Sequence, residues 1–231
     1  MPQSKPTDRF AASWLYFVAA SGDEGRRWVQ DYSRFQHLVD MNQDCLALLR
    51  RRSWDEGAEH LRRFRAGVDA AEDAAPATRA LLERWYQAVY GYYWYSLDRH
   101  DEARRAMVAA ADAIALAIGH LPCLVPLATQ CHEFHLHLAR IARNERRWAD
   151  MWRHVDDVRA MFKGSRPFCL LPDGRGVGLD DVRRFYASLG KLPAEQDDVR
   201  AYLLDDAVRM RDFDRFVREM LRLPGFVVAY P

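Results

Sequence analysis

Apolar residues recur at the 3.6-residue spacing of α-helices along most of the chain. The clearest example is a stripe formed by Tyr32, Phe35, Val39, Leu46 and Leu49. Further leucine, methionine and cysteine residues widen this stripe, which predicts one helix that is covered on more than one side. Candidate strands are confined to two short runs, residues 168–171 and 226–228. The pattern therefore predicts an all-α fold.

Four segments of the chain share a local pattern. They span residues 53–57, 99–103, 147–151 and 212–216, and apolar residues follow the last position of each at +4 and +7. The second unit is the most regular, with Tyr90, Gly91 and Trp94 before its segment and Ala103, Met107 and Ala110 at the recurring positions. Recurrence of this kind indicates repeated helix–turn–helix units.

These positions resemble the signature of the tetratricopeptide repeat (TPR), whose units stack into a solenoid. The resemblance covers roughly residues 30–223. It implies a right-handed α-solenoid of about four antiparallel helix pairs, in a single domain over residues 1–231 with residues 1–9 as a flexible tail. The units lie 46, 48 and 65 residues apart, against about 34 in the family. We therefore expect longer helices than usual.

An inserted loop explains the longest interval. Residues 163–178 contain several turn-forming glycines and prolines around a short apolar run. Gly174, Gly176 and Gly178 have the spacing of a phosphate loop, but no Lys-Ser/Thr pair follows them. A mobile flap or short hairpin is the favoured interpretation. An additional helix is predicted at about residues 179–190.

Several residues mark predicted helix boundaries. Ser53 and Glu56 have the spacing of a capping box, which predicts that a helix begins there. Basic clusters at residues 50–52, 99–100 and 143–147 fall where the first helix of each unit ends. Positive charge near the C-terminal end of a helix interacts favourably with the helix dipole and stabilises the helix by about 0.3–1 kcal/mol per group. Alternatively, the three clusters lie on one edge and form a binding strip.

Composition and charge exclude several classes of protein. Hydrophobic residues make up 49% of the 231 residues, which is enough for a sizeable core. The chain has 34 basic and 33 acidic residues, so its formal net charge is +1. Such a balance argues against nucleic acid or a membrane surface as a partner. Arginine far outnumbers lysine, a bias that favours a bacterial origin.

The cysteines and the first apolar run give information about the cellular compartment of the protein. The four cysteines have no paired CxxC spacing and predict buried thiols in a reducing, cytoplasmic setting. Lys5 and Arg9 precede an apolar run over residues 10–20, and a secretion signal has the same order. Asp8 and the aromatic residues of the run favour an N-terminal helix instead.

The run from Cys131 to His137 contains ligand-type side chains. On a helix, Cys131 and His135 share a face, and His132 lies one turn before His135. This spacing makes the three residues candidate zinc ligands. The zincin motif fails because Leu136 stands where its second histidine belongs. We favour packing roles for these residues, and no cofactor is predicted.

The TPR resemblance implies a concave groove lined by the first helix of each unit. In this register the lining residues are Asn42, Arg50, Trp85, Tyr92, Tyr95, Glu133, Arg140, Arg143 and Asn144. Aromatic faces bury apolar anchors, and arginines bind carboxylates through paired hydrogen bonds. The implied function is a noncatalytic scaffold or adaptor. Its expected partner is a peptide or helix with acidic or C-terminal carboxylate groups.

Two other functions remain open at this point. The first is a metal-dependent or small-molecule enzyme or sensor. It requires an enclosed pocket around residues 131–137, covered by the loop at 163–178. The second is a self-associating protein, such as a homodimer, in which exposed apolar residues of the terminal helices pair between chains.

Overall fold

The computed structural model describes residues 14–205, 210–211, 214–215, 217–218 and 222. Over these ranges the chain is predominantly helical, which confirms the all-α prediction. The helices are residues 14–20 (α1), Asp23–Ser33 (α2), Gln36–Arg50 (α3), Trp54–Ala70 (α4), Pro76–Ser96 (α5), His100–His120 (α6), Cys131–Asn144 (α7), Trp148–Phe162 (α8), Leu179–Ser188 (α9) and Ala194–Leu204 (α10), with a 3-10 helix at Pro122–Gln130. In the described ranges, no helix is both long and apolar enough to cross a bilayer. The predicted tail at 1–9 and most of the segment 212–216 lie outside them.

Three helical hairpins, α3–α4, α5–α6 and α7–α8, form the centre of the fold. Each is closed by a three-residue turn whose middle residue has a left-handed backbone. These residues are Arg52, Asp98 and Arg146, with φ angles of 63°, 58° and 60°. The three turns therefore have the same conformation, although their sequences differ.

Backbone hydrogen bonds confirm that the turns are equivalent. The last N–H of each turn donates to the carbonyl five residues earlier: Ser53 to Leu48, Arg99 to Trp94 and Arg147 to Ala142. This is the Schellman bond that satisfies the end of a helix. The capping box predicted at Ser53 is wrong, since the Ser53 side chain makes no cap hydrogen bond. The equivalent turns match the sequence register of the first three units and are compatible with a helical repeat.

The α5–α6 hairpin is the most closely packed. Ala103, Met107 and Ala110 of α6 are at most 1% exposed. A Cβ atom on Gly91 of α5 would overlap Met107 and lie 3.3 Å from the Cβ of Ala106. Glycine at this position therefore permits the close approach of the two helices. The small and apolar signature positions of the second unit meet here, as the sequence predicted.

The stripe that contains Tyr32 and Phe35 is divided between two helices. The chain leaves α2 at a turn in which the Phe35 N–H donates to the Tyr32 carbonyl at 3.0 Å. Tyr32 stacks on Trp28 at a centroid distance of 5.0 Å. Phe35 instead packs in a second apolar cluster with Phe64 and Leu82. The prediction of one helix through this stripe is wrong, because the two aromatic rings belong to different clusters.

Helix α1 is part of the main core. Phe17 and Val18 are fully buried. The Phe17 ring meets Tyr186 of α9 edge-on at 5.3 Å, while Trp14 lies 5.7 Å from Tyr32 of α2. This confirms the predicted helix in the described part of residues 10–20. The first and ninth helices are therefore joined across the core.

The inserted loop contains the predicted hairpin. Strands Cys169–Leu170 (β1) and Gly176–Val177 (β2) pair antiparallel, with Cys169 opposite Val177. Gly174 has a φ of 83°, a conformation that glycine adopts without strain. The side chains of Phe168 and Val177 are buried in the main core. The additional helix predicted at about 179–190 is α9.

Candidate functional site

The structure brings together predicted groove residues of α5 and α7. The amide Nδ2 of Asn144 donates a hydrogen bond of 2.6 Å to the Tyr95 hydroxyl. Arg140 lies close to both Tyr95 and Tyr92 and is fully buried. Burial lowers the pKa of Arg140 to about 10, and the neighbouring tyrosines oppose that shift. Arg140 therefore keeps its charge at neutral pH inside the helix interface.

Arg84, which the sequence analysis did not select, lies in the same interface. It is 3% exposed, and its guanidinium lies 4.0 Å from Glu133 of α7. Burial raises the pKa of Glu133 to about 7, and Arg84 opposes that shift. The guanidinium also stacks over Trp85 at 3.9 Å from the ring centroid.

Another predicted groove residue is covered by a neighbouring helix. The Trp85 indole N–H donates to the Tyr32 hydroxyl of α2 at 2.9 Å. Tyr32 is 2% exposed and packs between Trp14 and Trp28. The N-terminal helices thus occupy space next to Trp85 that the repeat register left open for a partner.

Burial divides the nine predicted groove residues into two groups. The buried residues are Asn42, Tyr92, Tyr95 and Arg140. Those that keep exposed surface are Arg50, Trp85, Glu133, Arg143 and Asn144. The first group contacts the interior of the fold because α3, α5 and α7 each bury more than one face. The second group, the rim of the predicted groove, is the part of the set that remains accessible from outside.

Two tryptophans that the sequence analysis did not assign to a site lie on the surface. Trp148 and Trp152 of α8 are 55% and 51% exposed. They are four residues apart, so they lie on the same face of the helix. Indoles are well buried on average, so an exposed pair is an unusual surface feature. The turn that precedes α8 follows directly on Arg143 and Asn144.

Carboxylates pair with part of the predicted basic strip. Arg104 binds Glu145 at 2.6 Å, which joins the second hairpin to the third. Arg147 also binds Glu145, at 3.0 Å. Arg99 pairs with Glu102 in the same way. These pairs offset the charge of Arg99 and Arg147 within the strip.

The candidate metal ligands Cys131, His132 and His135 do not share a site. The Cys131 thiol contacts Cys169 of β1, and this contact together with burial raises the Cys131 pKa. His132 donates from Nδ1 to the Thr129 carbonyl and meets the ring of Phe162 edge-on at 5.0 Å. His135 points to α8, since its Nδ1 lies 3.7 Å from Asp157. The three side chains therefore have different neighbours, and the structure does not gather them into the ligand set that the sequence offered as an alternative to packing.

The inserted hairpin does lie over the start of α7, as the enzyme hypothesis expected. The contact between Cys131 and Cys169 places β1 against this helix. However, Phe162 and Phe168 fill the space between them, with ring centroids 5.4 Å apart. Both rings are at most 6% exposed. The region around His132 is therefore packed with side chains.

Ligand-type side chains from two helices converge instead at the other face of α7. His135 meets His154 and Asp157 of α8, with one ligating atom of each within 4.8 Å of the others. The sequence analysis found His135 but neither partner on α8. The signal available was the i,i+3 spacing of His154 and Asp157.

No known protein family, curated protein or solved structure matches the chain.

Proposed function

We propose that the protein is a noncatalytic interaction scaffold, a TPR-like right-handed α-solenoid that binds a protein or peptide partner. Three hairpins with equivalent turns support the repeat architecture. Stacked helical repeats commonly present an extended surface to a partner. In this proposal the binding surface combines the exposed face of α8 with the rim of the predicted groove.

The exposed pair Trp148 and Trp152 carries the proposal. Each indole leaves about half of its surface open to water. Covering that half removes roughly 100 Å² of apolar surface, worth about 2–3 kcal/mol per indole. Tryptophan is also among the residues that dominate binding energy at protein interfaces. Two such residues one turn apart form a surface of the kind that a partner helix or peptide covers.

The residues beside this pair indicate the chemistry of the partner. Arg143 and Asn144 end α7, a three-residue turn separates Asn144 from Trp148, and both residues keep exposed surface. A guanidinium at the end of α7 and indoles at the start of α8 suit a carboxylate flanked by an apolar side chain. We therefore propose an acidic peptide or a C-terminal carboxylate as the bound group.

The test begins with capture from native extract, followed by binding of the purified partner. The double variant Trp148→Ala, Trp152→Ala should weaken partner binding by at least about 30-fold. Leu116→Ala is the matched control, because Leu116 is 42% exposed on α6 and lies away from the pair. Circular dichroism checks that both proteins fold alike. Equal affinity of the double variant and the control for every captured partner would refute this assignment.

The same surface also permits self-association, which a separate measurement resolves. If two chains cover each other's tryptophans, light scattering shows a dimer for the wild type and a monomer for the double variant. A monomer in both cases leaves a different molecule as the partner. If the wild type is a dimer and the double variant is a monomer, the proposed binding surface stands and the partner is a second copy of the chain.

The cysteines support a reducing compartment, and we propose the cytoplasm. All four are free thiols. Cys45 is fully buried, and burial raises its pKa to about 12. Cys131 is also buried, whereas Cys123 and Cys169 are partly exposed. Free thiols of this kind persist where the cell keeps cysteine reduced.

A further inference from the structure

Three ligand-type side chains meet between α7 and α8. His135 comes from α7, while His154 and Asp157 come from successive turns on one face of α8. His135 Nδ1 lies 3.7 Å from Asp157 Oδ2. The two imidazole rings are 5.6 Å apart between centroids. The packing of the third hairpin therefore forms a cluster that neither helix contains alone.

Both histidines have a buried ring nitrogen without a hydrogen bond. Among the described residues, Nδ1 of His135 and Nδ1 of His154 have no hydrogen-bond partner. Burial lowers the pKa of His135 to about 4 and also lowers that of His154. Both imidazoles are therefore neutral at pH 7, the form that ligates a metal ion. A bound ion would give these two buried nitrogen atoms the partner that they lack.

The carboxylate of Asp157 is held in place from its other side. Its Oδ1 pairs with Arg166 in the loop after α8, while Oδ2 faces His135. A partner of this kind orients a ligating carboxylate without itself contacting the metal. Arg166 and Arg153 also add positive charge near the cluster, which opposes cation binding. The fixed carboxylate favours cation binding and the nearby arginines oppose it, so we expect a moderate affinity for the ion.

We propose that His135, His154 and Asp157 bind one divalent transition-metal ion, for which Zn²⁺ is the probe. Two imidazoles and one carboxylate suit zinc and its neighbours, whereas Ca²⁺ and Mg²⁺ prefer oxygen ligands. Three protein ligands leave a fourth position for water or an external ligand. The three side chains are only partly buried, so an ion can reach them.

The distances are close to those that coordination requires. Metal–ligand bonds of about 2.0–2.2 Å in a tetrahedral centre place ligand atoms about 3.4 Å apart. The His135–Asp157 pair is already at 3.7 Å. The widest separation in the cluster, at most 4.8 Å, must close by little more than about 1 Å. A change of this size is within the range of side-chain rotation about χ1 and χ2.

The first experiment titrates chelator-treated full-length protein with Zn²⁺ by calorimetry. We expect one ion per chain for the wild type and a higher melting temperature for the loaded protein. His154→Ala and Asp157→Asn should each bind at least about tenfold more weakly. His37→Ala is the control, since His37 is exposed on α3, and it should bind like the wild type. No saturable binding by the wild type, or equal binding by all variants, overturns the proposal.

A second measurement identifies the ligand atoms and does not depend on the folding of a variant. Wild-type protein is loaded with Co²⁺, and its absorption spectrum is recorded. Nitrogen and oxygen ligands give the visible bands of the ion without a thiolate charge-transfer band. A strong thiolate band would place the ion on cysteines, such as Cys131 and Cys169, and would overturn the assignment. The metal site and the tryptophan surface involve different residues, so either proposal can fail while the other stands.

Discussion

Asn144, the last residue of α7, donates a hydrogen bond of 2.6 Å to the hydroxyl of Tyr95 near the end of α5. The bond joins the second and third hairpins immediately before their equivalent turns. A salt bridge of 2.6 Å between Arg104 and Glu145 joins the same two hairpins on the other side of the turn. The two contacts fix how adjacent hairpins are aligned.

The energy of the Asn144–Tyr95 bond can be measured by a double-mutant cycle. Tyr95→Phe and Asn144→Ala should each destabilise the protein, and the coupling energy should be about 0.5–1.5 kcal/mol. Urea unfolding followed by circular dichroism gives the four free energies. A coupling energy near zero would show that the bond contributes nothing to hairpin alignment.

The left-handed turn residues predict a stabilising substitution. Arg52 is exposed and has a φ of 63°, which costs a residue with a side chain about 1 kcal/mol. We expect Arg52→Gly to raise the free energy of unfolding by about 0.5–1 kcal/mol. Arg51→Gly is the matched control, because Arg51 has an ordinary helical backbone, and it should not stabilise. A loss of stability in Arg52→Gly, measured by thermal unfolding, would contradict the prediction.

The close packing of α5 on α6 predicts a destabilising substitution at Gly91. A valine there would collide with Met107 and crowd Ala106. We expect Gly91→Val to lower the free energy of unfolding by about 1–3 kcal/mol. Ala149→Val on the exposed surface of α8 controls for the helix propensity of valine. Equal effects of the two variants in urea would show that α5 and α6 do not pack closely at Gly91.

His132 predicts a loss of stability in acid. In the folded chain burial lowers its pKa from 6.5 to about 4. Below pH 6.5 the unfolded chain therefore takes up a proton that the folded chain does not, so stability present above pH 6.5 is lost as the pH falls towards 4.

The variant His132→Gln tests this pH dependence. Between about pH 7.5 and about pH 4.5 it should lose about 1–3 kcal/mol less than the wild type. Urea unfolding at both values, with a chelator present, gives the two differences. If the wild type and His132→Gln lose the same free energy of unfolding between the two pH values, the acid sensitivity arises from other groups.

The interior of each hairpin could be read from the sequence. Gly91, Ala103 and Met107 stand at helical spacing, and small residues opposite larger ones indicate where two helices approach closely. The repeat register placed Tyr95 of α5 and Asn144 of α7 on the same predicted groove, and the structure joins them by a hydrogen bond. Close approaches of this kind depend on local periodicity and on the neighbouring unit, so a single sequence is enough to predict them.

The sequence did not reveal which of the predicted site residues are exposed to water. Tyr92 and Arg140 have the residue types of a binding groove, yet both are buried between helices. Trp148 and Trp152 have the residue type of a core and are exposed. Whether an aromatic or arginine side chain meets a neighbour or water depends on which elements cover it. Those elements include α1 and α2, which the repeat pattern does not contain.

The sequence by itself determined the helical class, the hairpin register and the inserted segment, because each depends on spacing along the chain. Only the tertiary structure decided which polar side chains meet. Packing of α7 on α8 separated His135 from Cys131 and His132 and placed it beside His154 and Asp157. Helix direction and crossing determine such contacts, and side chains distant in sequence combine only when the helices have packed.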